Sequence, residues 1–84
     1  MITTGAQIRA ARALLRLEQE ELARAANLSV ETVRRLEKRS GRINDARIGT
    51  LNDLTAAFAA RGVTFTDGGK PGVAIDAASL EEMT

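Results

Sequence analysis

Residues 19–38 read Gln19-Glu20-Glu21-Leu22-Ala23-Arg24-Ala25-Ala26-Asn27-Leu28-Ser29-Val30-Glu31-Thr32-Val33-Arg34-Arg35-Leu36-Glu37-Lys38. Leu22, Ala23 and Ala26 fall on one face at helical spacing. Asn27 follows, and asparagine tolerates positive φ well enough to close a helix and reverse the chain. Leu28 is apolar, Ser29 is a good N-cap, and Val33 and Leu36 then recur on one face. The spacing predicts two helices, over 19–26 and 30–38, parted by a break of about three residues.

That break is the shortest punctuation in the chain, and two helices joined so tightly form a helix-turn-helix unit. Its second helix can lie in a DNA major groove when one face packs inward and the other stays polar and free. Opposite Val33 and Leu36, the residues Glu31, Arg34, Arg35 and Lys38 stand at i, i+3, i+4 and i+7, with Val30 at the exposed N-terminal end. Arginine bidentate to guanine O6 and N7 discriminates by about 1–3 kcal/mol, a valine suits a thymine methyl, and a glutamate accepts from a cytosine amino group. Glu31 and Arg35 are also an i,i+4 pair, so mutual neutralisation is the plainer alternative for them.

Upstream, Thr4-Gly5-Ala6-Gln7 has the form of a capping box, and Ile8, Ala11 and Leu15 share a face, predicting a helix over about 4–16. In the second helix Glu20 and Arg24 are spaced to pair outside. Downstream, 39–49 reads as a loop with one helical turn near Asp45–Ile48. Thr50-Leu51-Asn52-Asp53 looks like the capped start of a fourth helix burying Leu51, Leu54 and Phe58, and Gly62 stands where a left-handed C-cap belongs. The period then changes to two: Val63, Phe65, Val73 and Ile75 alternate with polar or small residues around Asp67–Gly72, predicting a β-hairpin over 63–76. Residues 77–84 read as a tail, or a single turn begun by Ser79. The domain reading is a helix-turn-helix unit in 1–62, the hairpin as a dimerisation element, and the tail.

Composition narrows the chemistry. Eighty-four residues suffice for one small core, and 44% are apolar, but 15 are alanine and two, Phe58 and Phe65, are aromatic. No Cys and no His are present, which excludes disulfides, thiolate metal sites and the common nucleophile–base pairs. The reading is therefore not an enzyme, with no cofactor and no metal. Gly68-Gly69-Lys70 invites a phosphate-loop comparison, but the motif's spacing is absent and Pro71 follows the lysine. No apolar run is long enough to span a bilayer, and Arg9, Arg12 and Arg16 precede any signal-like segment, so a cytoplasmic, nucleoid-associated protein is expected. Net charge is +1, yet residues 1–47 hold ten Lys or Arg against six acids, and 48–84 hold two against five. A basic half joined to an acidic half suits contact with a polyanion from one side; an ordinary solvated helix face is the alternative.

Residues 7–38, and the run to about 60 less strongly, resemble the XRE family of regulators of bacterial or phage type, the Cro and phage-repressor-like helix-turn-helix domains. The resemblance is carried by Gln7-Ile8-Arg9-Ala10-Ala11-Arg12, by the run from Gln19 to Ser29, and by Thr32-Val33-Arg34-Arg35-Leu36-Glu37. It implies a mainly α, lambda-repressor-like helix-turn-helix bundle of about four helices, here followed by a C-terminal β-hairpin where the family usually has a fifth helix. It implies base reading by Val30, Glu31, Arg34 and Arg35, and phosphate contact by Gln19, Arg39 and Arg42, to which Lys38 is added from its place on the outer face. Arg12 and Glu37 match a family pair that ties the first helix to the end of the third, a structural role. Two positions depart from the pattern: Asn27 replaces a common glycine, and Glu18 replaces a Ser or Thr cap, a loss of about 1 kcal/mol.

The function expected is sequence-specific binding of double-stranded operator DNA by a homodimer, since paired recognition helices about 34 Å apart match a two-fold operator. The alternative is a protein-binding module on the same fold (an antiactivator, antitoxin-like partner or adaptor) acting through the hairpin or the Leu80/Met83 tail. An exposed strand edge offers a natural pairing template for a second copy, and covering the open side of the helical core is the plainer use of the same hairpin.

Overall fold

Thr4 opens α1 (Gly5–Leu15) with a reciprocal cap: its hydroxyl accepts from the Gln7 N–H (3.2 Å), and the Gln7 carboxamide oxygen accepts from the Thr4 N–H (3.0 Å). The helix stops at Arg16, which adopts left-handed φ 56°. The computed structural model describes residues 1–83. In it α2 spans Gln19–Ala26, α3 Val30–Glu37, α4 Ile48–Ala59, β1 Val63–Thr66, β2 Gly72–Ile75 and α5 Ala77–Glu82. The architecture is thus mainly helical, with five helices among the described residues and a small antiparallel hairpin.

The helices pack around Ile8, Leu22, Val33, Leu36, Leu54 and Phe58, all buried. Val63 is wholly buried, and Phe65, Val73 and Ile75 are half-buried against that core, while Thr64, Thr66 and Ala74 face outward. Strand pairing sets Val63 opposite Ile75 and Phe65 opposite Val73. Phe65 meets Phe58 edge-on with ring centres 5.4 Å apart, so the hairpin closes the open side of the bundle. It is latched there by Gln7, whose Nε2 donates to the carbonyls of Thr66 (2.7 Å) and Gly72 (3.1 Å).

Three boundaries differ from the sequence reading. The Leu51 N–H donates to the Arg47 carbonyl (3.1 Å), so α4 begins at Ile48 with Thr50 already inside its first turn. The turn before it closes earlier, from the Ala46 N–H to the Ile43 carbonyl (3.0 Å), in place of a helical turn at 45–48. The segment after the hairpin is a helix rather than a tail: the Leu80 N–H reaches the Asp76 carbonyl (3.2 Å), so it starts at Ala77 and not at Ser79. That helix lies so close to Gly62 (φ 84°) that a Cβ there would stand 2.1 Å from Ser79 Oγ, which fixes glycine by both conformation and space.

One contact has no signature in local sequence. The Ile43 N–H donates to the Thr3 carbonyl (3.1 Å) and the Gly5 N–H to the Gly41 carbonyl (3.2 Å), with Ile2 and Ile43 buried beside them. The chain's first residues therefore staple the loop that follows α3.

Candidate nucleic-acid interface

Presentation of α3 begins with the turn before it. Asn27 adopts φ 57°, and the Leu28 N–H returns to the Ala23 carbonyl (2.8 Å), so α2 ends and the chain reverses within three residues. Ser29 then caps α3, its hydroxyl accepting from the Thr32 N–H (3.2 Å). With Val33 and Leu36 buried on one side, Glu31, Arg34, Arg35 and Lys38 are left exposed on the other. Val30 does not stand free at the tip: it is half-buried and packed on the core.

Exposed side chains on this face differ in how they are held. Arg34 donates through Nη1 to Glu31 (2.6 Å) and through Nη2 to Glu20 on α2 (3.1 Å). The pairings suggested by spacing, Glu31 with Arg35 and Glu20 with Arg24, give way to these two because Arg34 lies between the acids of both helices. Among the described residues, the side chains of Arg35, Lys38 and Arg42 make no hydrogen bond or ion pair. Arg35 instead borders an open groove of about 490 Å³ with Thr32, Arg39, Asp45, Arg47 and Thr50. Arg39 is engaged, donating to the Asp45 carboxylate and to the Arg42 carbonyl (3.0 Å). That bond from Arg39, with the Asp45 backbone hydrogen bond and the positive charges of Arg39 and Arg35, holds the Asp45 carboxyl below its usual 3.8.

Behind the face lies a buried anchor. Glu37, 4% exposed, accepts from Arg12 Nε (3.0 Å) and Arg12 Nη2 (2.9 Å), and more distantly from Gln19 Nε2 (3.3 Å). Its hydrogen bond is the main cause of an Arg12 pKa raised above its ordinary value. Arg12 also donates to the Leu17 carbonyl (3.0 Å), so one guanidinium joins α1, the α1–α2 corner and the end of α3. Arg9 adds a second tie, to the Glu37 carbonyl and the Ser40 hydroxyl. The structure thus gathers Gln19, Arg12 and Glu37 in one cluster and Arg34 with Glu31 in another, and leaves Arg35, Lys38 and Arg42 outside both.

Sequence reasoning missed the contacts that Glu20, Asp45, Arg9 and Gly5 make here. A Cβ on Gly5 would sit 1.8 Å from the Arg39 carbonyl oxygen and 2.3 Å from that of Leu36, so the start of α1 presses directly on the end of α3. Glycine after a capping threonine is the only local hint of this, and it does not say what the backbone approaches. Glu18 makes no side-chain cap hydrogen bond to α2, but its own backbone N–H is taken by the Glu21 carboxylate (2.9 Å). Among the described residues no group of His, Cys, Asp or Glu is placed to hold a metal, and no helix is long and apolar enough to cross a membrane.

Against known proteins, a family model described as helix-turn-helix, that of XRE, Cro and CI-type regulators, matches residues 8–55. The match covers more than half of the chain and takes in α2, the turn, α3 and the first turns of α4, while the hairpin and α5 lie beyond it. No curated protein matches the chain.

Proposed function

The chain belongs to the helix-turn-helix family of XRE, Cro and CI-type regulators, and on that premise we propose that it binds operator DNA sequence-specifically, as a homodimer, with α3 in the major groove. The observation that carries the reading is the outer side of α3: Arg35 and Lys38 are exposed and unpaired there, on a helix whose other side is anchored by Val33, Leu36 and the Glu37–Arg12 pair. Arg34 and Arg35 address base edges, with Glu31 toward the helix start. Lys38 and Arg42 take phosphates directly, and Gln19 and Arg39 do so by exchanging their present partners, Glu37 and Asp45, for phosphate oxygens.

Dimensions support the dimer. The molecule measures 36 × 29 × 19 Å and carries one such helix, whereas successive major-groove segments on one side of a duplex lie about 34 Å apart. The hairpin's free strand edge, with the half-exposed Leu80 of α5 beside it in sequence, is the surface assigned to the second copy. Equilibrium sedimentation checks this, with a two-fold mass at micromolar concentration expected and a persistent monomer binding DNA in single copies contradicting it.

Capture of sequences from a randomised duplex pool, followed by gel shift at low salt, tests the main proposal. An enriched motif, at least ten-fold preferred over unselected DNA and losing that preference in Arg35→Ala, is the expected result. No shift even at low salt would favour the protein-binding alternative, which has one specific support: Glu18, Glu20, Glu21 and Glu31 crowd carboxylates toward the start of α2 and α3.

A further inference from the structure

Two carboxylates hold Arg34 from different directions, and only one of them belongs to its own helix. Glu31 lies one turn earlier on α3 and takes Nη1 (2.6 Å); Glu20 lies on α2 and takes Nη2 (3.1 Å). Resting on the reading of α3 as the base-contacting helix, we infer that Glu20 is a positioning residue for sequence recognition, buttressing the Arg34 guanidinium across the α2–α3 corner so that it enters the groove already oriented.

A guanidinium has five N–H donors in a rigid fork. The two acids occupy one nitrogen each through a single contact, which leaves donors enough for a two-point contact with a guanine edge. The side chain remains 43% exposed, so the clamp orients it without burying it. Arg35, one residue on, has no such support, so one face carries an arginine of fixed aim beside one of free aim.

Charge acts in the same direction. Two carboxylates against one guanidinium leave the cluster with one net negative charge, which repels a phosphate more than it repels the acceptor edge of a base. Arg34 is thereby discouraged from settling on the backbone, where Lys38 and Arg42 suffice. An exposed pair of this kind contributes little to folding, so its consequence belongs to recognition and not to stability.

The test uses the full chain and a randomised duplex pool, sequenced after capture by the parent, Glu20→Gln, Arg34→Ala and the double variant, with thermal melting run alongside. The parent should enrich a motif, and Arg34→Ala should lose the preference at one base pair of each half-site. Glu20→Gln should weaken the preference at that same base pair, by roughly three- to ten-fold, while binding unselected duplex more tightly. In the Arg34→Ala background Glu20→Gln should change the motif no further, and all four proteins should melt within about 3 °C of one another. If Glu20→Gln leaves the Arg34-dependent preference intact, or shifts melting alone, the positioning role is wrong while DNA recognition by α3 stands. A parent that enriches nothing and binds no duplex at low salt removes both.

Discussion

Gly5 illustrates how a single residue governs the site from behind. Its Cα passes beneath the carbonyls of Leu36 and Arg39, where an added Cβ would approach to 2.3 and 1.8 Å. Both obstacles are backbone, so Gly5→Ala forces the end of α3 and its loop away from α1. A loss of about 3 kcal/mol is expected, at the upper end for overpacking, read as a lower urea midpoint at unchanged slope. Arg12 sets a comparable test. Replacing it with methionine leaves the Glu37 carboxylate buried beside a weakly placed Gln19, and about 3 kcal/mol should be lost. Replacing both residues with apolar ones should recover much of that. At Asp45 the sign concerns pH: its carboxyl is depressed below 3.8 in the folded chain, so the loop contact with Arg39 is fully present above the unfolded value and fades as pH falls through the folded one. Relative to the intrinsic exchange rate, amide protection in 39–46 should therefore fall below about pH 4 before that of the helices, and high salt should imitate this at neutral pH.

Among the elements, those with both a periodic face and an unambiguous stop were legible in sequence. Leu22, Ala23 and Ala26 followed by Asn27 place α2 to the residue, and Ser29 with Val33 and Leu36 places α3 within one. The hairpin is equally readable, because Val63, Phe65, Val73 and Ile75 alternate around a turn rich in Gly. The start of α4 was not, since Thr50 and Asp53 suit a cap and a first turn alike, and only the Leu51 bond to Arg47 decides between them. α5 was hidden because it buries no residue and so shows no periodic face. The latch between α1 and the hairpin was hidden for another reason: Gln7 advertises its local capping role, and its donors reach residues 59 and 65 positions away. Gln7→Leu should therefore cost about 2 kcal/mol and loosen hairpin amides before those of α2 and α3, a difference that hydrogen exchange resolves.

For the whole molecule, the fold acts as a mount. The staple of residues 2–5, the Arg12–Glu37 anchor and the Ser29 cap converge on α3 and the loop after it, while the hairpin packs on α1 and α4. The exposed residues of α3 were readable from spacing, Val30 excepted, but their pairing was not, because the partners of Arg34 and Gln19 depend on how α2 crosses α3 and not on helical period. With α3 in the groove, phosphate contact falls to few free cations, so Arg42→Ala should weaken binding to selected and unselected duplex alike and reduce the salt slope by about one. The most direct measurement is methylation protection at guanine N7, an atom that lies in the major groove. Guanines of the selected motif should be shielded by the parent protein and exposed again at one position in Arg35→Ala. Full shielding by that variant would contradict base contact by Arg35, and a bound complex with every guanine N7 still reactive would contradict the placement of α3.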